Sequence, residues 1–228
     1  MRVLVTGGDG RLGPWVAREL RDHGHEVVSI DRLLPREREA GIRYRAVELG
    51  DLGQVVGAMR GCAAVIHLGA IPAPWSHPDE VVFLNNVGAT YNTLQAAYLL
   101  GIGKAIIASS CSAYGMAWTE TRFEPRYAPV DEEHPLLPHD PYGLAKETDE
   151  RTAAMFARRC GTAILAYRFH WIALPGEAAA RATWGSAGRS GGGPGTTSIR
   201  MKESVRYRFA TRFTSPAVTA NRRSSSAR

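Results

Sequence analysis

Two short segments of the chain carry side chains that could move a proton at a substrate hydroxyl. Tyr142 and Lys146 are four residues apart, and on a helix this spacing puts both side chains on one face. A neighbouring ammonium favours phenolate over phenol, so Tyr142 could take a hydroxyl proton near neutral pH. The other segment, 106–115, is an apolar run that delivers Ser109 and Ser110, whose hydroxyls could hold the same substrate oxygen. Taken singly, these motifs are also compatible with a solvated helix face and an ordinary serine-rich loop.

Three glycines near the N-terminus predict a site for a dinucleotide pyrophosphate. An apolar run at 3–5 leads into Gly7, Gly10 and Gly13, and a periodic helical pattern follows. The first glycine allows a tight turn, the second lets the backbone approach the phosphates, and the third lets helix and strand pack closely. The positive end of the helix dipole would then face the anion. The strand, turn and helix frame makes this glycine triplet far more specific than the glycines alone.

An acid at the end of the next apolar run indicates which dinucleotide binds. The run 26–31 ends in Asp31, at the distance from the glycines expected for the residue that hydrogen-bonds the adenosine ribose. A carboxylate there would repel a 2′-phosphate, which favours NAD and makes NADP the less favoured cofactor. Arg32 weakens this preference because an arginine can accept that phosphate. The alternative is that Asp31 merely ends a strand in a turn.

The order of the predicted elements brings these residues to one edge of a sheet. Alternating strands and helices predict an α/β fold, a Rossmann-type doubly wound parallel sheet with helices on both faces and right-handed crossovers. The crevice of such a sheet lies at the carboxyl ends of its strands, where every motif described above falls. The predicted strands are 2–6, 26–31, 43–47, 63–68, 104–109 and 162–168, and the predicted helices are 11–23, 52–60, 79–100 and 142–160.

Together these motifs resemble the extended short-chain dehydrogenase/reductases, the NAD-dependent epimerase/dehydratase family. The resemblance covers about residues 1–176, with independent motifs in the order of the family. The segments that carry it are 6–13, Asp31, Asp51-Leu52, 67–70, 86–90, 109–115, 142–146 and Arg168.

The resemblance implies an enzyme that transfers a hydride between NAD(P) and a secondary alcohol or sugar-like substrate. It implies that Ser110 is the catalytic hydroxyl, that Tyr142 is the acid/base, and that Lys146 holds the nicotinamide ribose and tunes Tyr142. It also implies that Asp51 and Leu52 border the adenine. The complete set of expected cofactor-binding residues is Gly7, Gly10, Arg11, Leu12, Gly13, Asp31, Asp51, Leu52, Leu68, Gly69, Ala70, Tyr142 and Lys146.

Two departures from the family pattern narrow the choice of reaction. Dehydratases of the family carry an Asp-Glu pair after the catalytic hydroxyl, where this chain has Cys111 and Ser112, so sugar 4,6-dehydration is not expected. Many nucleotide-sugar enzymes have a short loop ending in Gly-Pro after the arginine, whereas 169–175 differs here. A nucleotide sugar therefore stays open as the substrate, as does the choice between epimerase and dehydrogenase.

The C-terminal stretch differs in character from the rest of the chain. Residues 181–228 contain nine Arg and one Lys against one Glu, a net charge of +9, whereas 1–180 carry −3. We expect a dinucleotide-binding domain over 1–176 and a basic low-complexity tail over 177–228 that is disordered or aberrant, as in a frameshifted or truncated enzyme. The C-terminal substrate domain would then be largely missing, and an inactive fragment is an alternative to an active enzyme.

Bulk composition excludes several classes of function. No apolar stretch approaches the ~20 residues of a membrane span. Three cysteines without a C-x-x-C pair suit the cytoplasm and argue against a metal site. The positive charge belongs to the tail, so no nucleic-acid partner is expected; the expected partner is a small-molecule substrate, and a homodimer is left open. A cofactor-binding protein without turnover is the second hypothesis, although a sensor needs no acid/base pair.

Overall fold

The computed structural model describes residues 1–119, 123–170 and 172–173. Within these ranges, six strands form one parallel sheet, and four α-helices and a 3₁₀ helix connect them. In chain order the elements are β1 (Arg2–Thr6), α1 (Gly13–Asp22), β2 (Glu26–Asp31), β3 (Ile42–Ala46), α2 (Leu52–Met59), β4 (Ala64–His67), α3 (Asp79–Leu99), β5 (Lys104–Ser110), the 3₁₀ helix Cys111–Tyr114, α4 (Pro141–Cys160) and β6 (Ala163–Phe169).

The strand order reverses direction in the middle of the sheet. The order is β3-β2-β1-β4-β5-β6, so the chain first moves outwards from β1 through β2 to β3 and then crosses to β4 on the other side of β1. The connections after β1 and after β4 therefore leave neighbouring strands in opposite directions and open a crevice between them. This confirms the predicted Rossmann-type, doubly wound parallel sheet.

Helices lie on both faces of the sheet. Val16 and Ala17 of α1 are buried against β1 and β2 on one face. On the other face, α2, α3 and α4 share a core with strand side chains, in which Leu94 and Phe156 are almost fully buried against Leu4 and other strand residues. Alternation of side chains along each strand supplies both layers, because successive residues point to opposite faces.

The boundaries differ from the sequence prediction in ways that matter for the site. The helix predicted from residue 11 begins at Gly13, because the residues before it form the turn. The helix predicted from residue 142 begins at Pro141, since the Asp140 carboxylate accepts the Gly143 N–H and caps the first turn. The 3₁₀ helix after β5 was not predicted. The predicted domain boundary at 176 and the tail 177–228 lie outside the described residues.

Candidate active site

The glycine turn after β1 is packed against the connection that follows β4. Gly7 has a φ of +67°, and a Cβ at this position would lie 2.7 Å from the Gly69 nitrogen and 2.8 Å from the Leu68 carbonyl carbon. A Cβ at Gly13 would overlap the Gly7 carbonyl oxygen, which closes the turn through its hydrogen bond from the Gly10 N–H. The two backbones thus approach to a distance that only glycine permits.

The start of α1 offers backbone donors to an anion. Leu12 is the N-cap residue; within the described residues no side chain caps this helix, and its first turn contains no acidic residue. The first N–H groups of a helix have no partner inside it, so an anionic group is the fitting ligand here. Arg11 extends from the turn and donates a hydrogen bond of 3.2 Å to the Ile172 carbonyl, which ties the turn to the segment after β6.

Asp31 lies beside the glycine turn, at the carboxyl end of β2. Its carboxylate accepts the Asp9 N–H at 2.9 Å and the Arg32 N–H at 2.7 Å. The Asp31 carboxylate is therefore held by the backbone of the glycine turn. Each of its oxygens can still accept a hydrogen bond from a further donor.

Asp51 has a structural role that sequence reasoning missed. Its carboxylate caps α2 by accepting the Gln54 N–H, and this hydrogen bond is the main reason that the pKa of Asp51 is lowered. The side chain is exposed and Leu52, which follows it, is half-buried. The same connection reaches the crevice, because a Cβ at Gly69 would meet the Leu49 side chain at 2.5 Å.

A buried polar cluster holds the wall formed by Leu68, Gly69 and Ala70. The Thr6 hydroxyl oxygen accepts the N–H groups of Leu68 and Gly69, each at 3.1 Å, and contacts His67 Nδ1 at 2.8 Å. Burial and then the charge of Lys146 lower the pKa of His67 to about 3, so the imidazole is neutral. No sequence motif indicated this cluster, because its members come from different strands.

Ser110 lies at the carboxyl end of β5 and is nearly buried. Its oxygen accepts the Ser112 N–H at 3.1 Å and its hydroxyl donates to the Ser112 Oγ at 3.0 Å, so it caps the 3₁₀ helix. The close approach of Gly143, whose Cβ would meet the Ser112 carbonyl oxygen at 2.7 Å, brings the start of α4 to this point.

Tyr142 and Lys146 share one face of α4, as their spacing predicted. The Lys146 ammonium is 5.7 Å from the centre of the Tyr142 ring and donates to the Ala108 carbonyl of β5 at 2.8 Å. The ammonium also pairs with Asp149 at 3.4 Å, and both side chains are almost completely buried. Within the part of the chain described, the Tyr142 hydroxyl has no hydrogen-bond partner. Sequence reasoning missed Asp149, although its position three residues after Lys146 was a usable signal.

A second ion pair, which is partly buried, secures the end of β5 from the β6 side. Glu150 binds Arg168 through two hydrogen bonds of 2.9 and 2.7 Å and accepts a third from Ser109 at 2.5 Å. Burial alone would raise the pKa of Glu150, but the hydrogen bonds from Arg168 and Ser109 outweigh it and lower the pKa. Arg168 also donates to the Tyr114 hydroxyl, so the pair joins α4, β5, β6 and the 3₁₀ helix. Ser109, one of the two candidate hydroxyls, is thereby committed to Glu150, whereas the Ser110 hydroxyl is bonded to Ser112.

The described residues contain neither a cluster of metal ligands nor a membrane-spanning helix. No group of three His, Cys, Asp or Glu side chains in ranges 1–119, 123–170 and 172–173 is arranged to hold a metal ion. Over the same ranges, no helix combines the length and the apolar composition that a membrane crossing requires.

The fold and the position of the glycine turn define the Rossmann class of dinucleotide-binding folds. A model of the NAD dependent epimerase/dehydratase family matches residues 3–182. The chain belongs to this family of enzymes, which confirms the resemblance stated from the motifs.

Individual relatives differ in the reaction that their names give. The chain is 33% identical to a UDP-glucose 4-epimerase of Rhizobium leguminosarum bv. trifolii, over 67% of this chain and 46% of that protein. It is 30% identical to an L-arabinose 1-dehydrogenase (NAD(P)(+)) of Haloferax volcanii, over 77% of this chain and 69% of that one. A crystal structure of a short-chain dehydrogenase/reductase superfamily protein from Agrobacterium tumefaciens with bound NAD is similar with a TM-score of 0.65 and 32% identity, covering 74% and 49% of the two chains. The chain spans about half the length of the first curated relatives it matches.

Proposed function

We propose that the described part of this chain is the cofactor-binding and proton-transfer part of an NAD-dependent oxidoreductase or epimerase acting on a sugar-like secondary alcohol. The observation that carries the proposal is that Lys146 lies beside the Tyr142 ring and donates to the Ala108 carbonyl of β5, two residues before Ser110 ends that strand. A proton-transfer phenol, an ammonium and a serine hydroxyl at the mouth of a dinucleotide crevice suit the oxidation of a carbinol.

The residues of the crevice fit a dinucleotide. Gly7 and Gly13 let the turn, α1 and the wall after β4 approach one another more closely than any side chain would permit, and the uncapped start of α1 suits a pyrophosphate. Arg11, Leu12 and Gly10 would border the phosphates, and Leu68, Gly69 and Ala70 would line the wall. Asp51 and Leu52 would border the adenine.

The choice of NAD over NADP rests on Asp31. Its carboxylate keeps acceptor capacity beyond its bonds to Asp9 and Arg32, so it suits two ribose hydroxyls and opposes a phosphate. NADP is the less favoured cofactor in this proposal, but it is not excluded, because the adjacent Arg32 could accept a 2′-phosphate.

The chain's own residues supply the proton chemistry. Ser110 turns its hydroxyl to the substrate oxygen and orients the carbinol. Tyr142 accepts the hydroxyl proton during oxidation and returns a proton during reduction. Lys146 holds the nicotinamide ribose and stabilises the ionised form of Tyr142. A bound NAD would supply the acceptor for the hydride of the carbinol carbon.

The relatives support a sugar substrate but divide on the outcome. An epimerase returns the hydride to the other face of the same carbon, whereas a dehydrogenase releases the oxidised product. Both kinds of enzyme are among the relatives, so we propose the shared step, oxidation of a secondary hydroxyl on a sugar or nucleotide sugar. A protein that binds NAD without turnover is the competing hypothesis.

The test is a titration with NAD followed by a substrate screen of the 228-residue chain. We expect saturable NAD binding by calorimetry, and NADH formation with at least one member of a set of aldoses, uronic acids and UDP-hexoses, or interconversion of UDP-hexoses. Failure to bind NAD would contradict the proposed cofactor. Binding without any turnover, equal in the parent and in Tyr142→Phe, would favour the non-catalytic hypothesis.

A further inference from the structure

We propose that Asp149 is a positioning residue that holds the Lys146 ammonium for the nicotinamide ribose. The inference rests on the proposed function, since it concerns the same site, but Asp149 belongs to none of the motifs that identify the family. Its carboxylate oxygen Oδ2 is 3.4 Å from the Lys146 Nζ, and the two side chains are 1% and 4% exposed.

The donors of Lys146 explain why a counter-ion is needed. The ammonium has three N–H donors. One goes to the Ala108 carbonyl at 2.8 Å and a second faces Asp149, which leaves a third for a ligand. A flexible four-carbon side chain fixed at two points presents its remaining donor in a narrow range of directions. A buried charge without a counter-ion would also carry an uncompensated desolvation cost.

The surroundings of Asp149 show that its buried carboxylate, in turn, needs the positive charge of Lys146. Its other oxygen, Oδ1, is buried and lacks a well-formed hydrogen bond within the described residues, although Thr90 approaches the carboxylate and favours its ionised form. Burial raises the pKa of Asp149, and repulsion from Glu150 raises it further. Lys146 and Thr90 act in the opposite direction and lower it. His67, which is bonded to Thr90 at 3.1 Å, is neutral and supplies no charge. Lys146 is therefore the positive charge that opposes the effect of burial on the pKa of Asp149.

The experiment is a double-mutant cycle between Asp149→Asn and Lys146→Met on the 228-residue chain. Calorimetry with NAD gives the dissociation constant, and urea unfolding gives the stability of each variant. We expect Asp149→Asn to weaken NAD binding about tenfold in the parent, the scale of one hydrogen bond from a charged group. In the Lys146→Met background we expect a change of less than about twofold, because the group that Asp149 positions is gone.

Glu147→Gln is the matched control. Glu147 lies on the same helix and forms an ion pair with the exposed Arg151, so the same loss of charge should leave NAD binding within about twofold. An equal weakening in this variant would overturn the inference, because the effect would then come from overall charge. Equal effects of Asp149→Asn in the parent and Lys146→Met backgrounds would also overturn it.

Two outcomes separate this inference from folding and from the proposed function. If Asp149→Asn alone does not fold, recovery of a folded chain in Lys146→Met/Asp149→Asn supports the coupling, because both buried charges are then removed together. Failure of that double variant to fold overturns the inference and leaves Asp149 a purely structural residue. Absence of NAD binding by the parent would overturn the proposed function and this role with it, whereas parent binding with additive variants would overturn the role alone.

Discussion

Substitution of Gly13 by alanine tests whether the glycine turn is a dinucleotide cradle. A Cβ at this position would lie 2.7 Å from the Gly8 Cα and 2.9 Å from the Gly7 carbonyl carbon, whereas carbon atoms normally approach to about 3.5–4.0 Å. All the nearest atoms are backbone, so the turn must move by roughly 1 Å, at a cost of about 1–3 kcal/mol in overpacking. Alanine also lowers the conformational entropy of the unfolded chain, which stabilises the folded state by about 0.4–1 kcal/mol. The net destabilisation is therefore about 1–2 kcal/mol.

The effect on NAD should exceed the effect on stability. Displacing the turn weakens hydrogen bonds between backbone N–H groups and charged phosphate oxygens, and losing about 3 kcal/mol of these bonds corresponds to roughly a hundredfold weaker binding. Calorimetric titration of the folded variant measures the dissociation constant, and urea unfolding measures the stability.

Gly88→Ala is the control for this substitution. Gly88 lies inside α3, and a Cβ there would meet nothing within 4 Å. We expect this variant to gain about 0.8–1 kcal/mol of stability from helix propensity, with NAD binding unchanged. Gly13→Ala binding NAD within threefold of the parent would refute the cradle assignment.

Three further predictions concern single side chains. Asp31→Ala should weaken NAD binding and narrow the difference between NAD and NADP in fluorescence titrations; tighter NADP binding by the parent would contradict the assignment. Tyr142→Phe should lower turnover by about 10²–10⁴-fold with NAD binding nearly intact, and activity within tenfold of the parent would indicate another acid/base. Glu150→Gln should lower the free energy of unfolding, measured in urea, by about 2 kcal/mol. This is less than the loss expected for a fully buried ion pair, because the Glu150–Arg168 pair is partly exposed. Because the folded-state pKa of Glu150 is lowered, its contribution is present at neutral pH and lost as pH falls through that pKa, so the variant's stability should depend less on acid pH than the parent's.

Local patterns in the sequence predicted the fold and much of the candidate site. The glycine spacing, the acid ending β2 and the Tyr-x-x-x-Lys pair depend on neighbours along the chain, and periodicity can express such relations. The cluster of Thr6 and His67 comes from two strands 61 residues apart, so no window of sequence contains it. Asp149 is only three residues from Lys146, but an acid on a helix is ordinarily solvated, and its burial depends on the packing of α3 against α4.

Under the proposed function, the residues that would bind the cofactor and transfer the proton are different from those that would contact the rest of the substrate. Lys146 is fixed by β5 and α4, and Ser110 is fixed by the 3₁₀ helix, so both stand on elements with their own hydrogen-bond ladders. The connections at 68–78, 115–119 and 123–140 are irregular, and they carry exposed aromatic rings, with Trp75 and Trp118 in an edge-to-face contact at 4.3 Å. A reaction common to many sugars requires that Lys146 and Ser110 keep fixed positions, because proton transfer tolerates little displacement of the groups involved. Discrimination among sugars needs surfaces that can differ without disturbing these positions, and loops provide them. Under the proposed function, the residues fixed on β5, α4 and the 3₁₀ helix would carry out the oxidation of a secondary hydroxyl, and the loops would contact the part of the substrate that differs from one sugar to another.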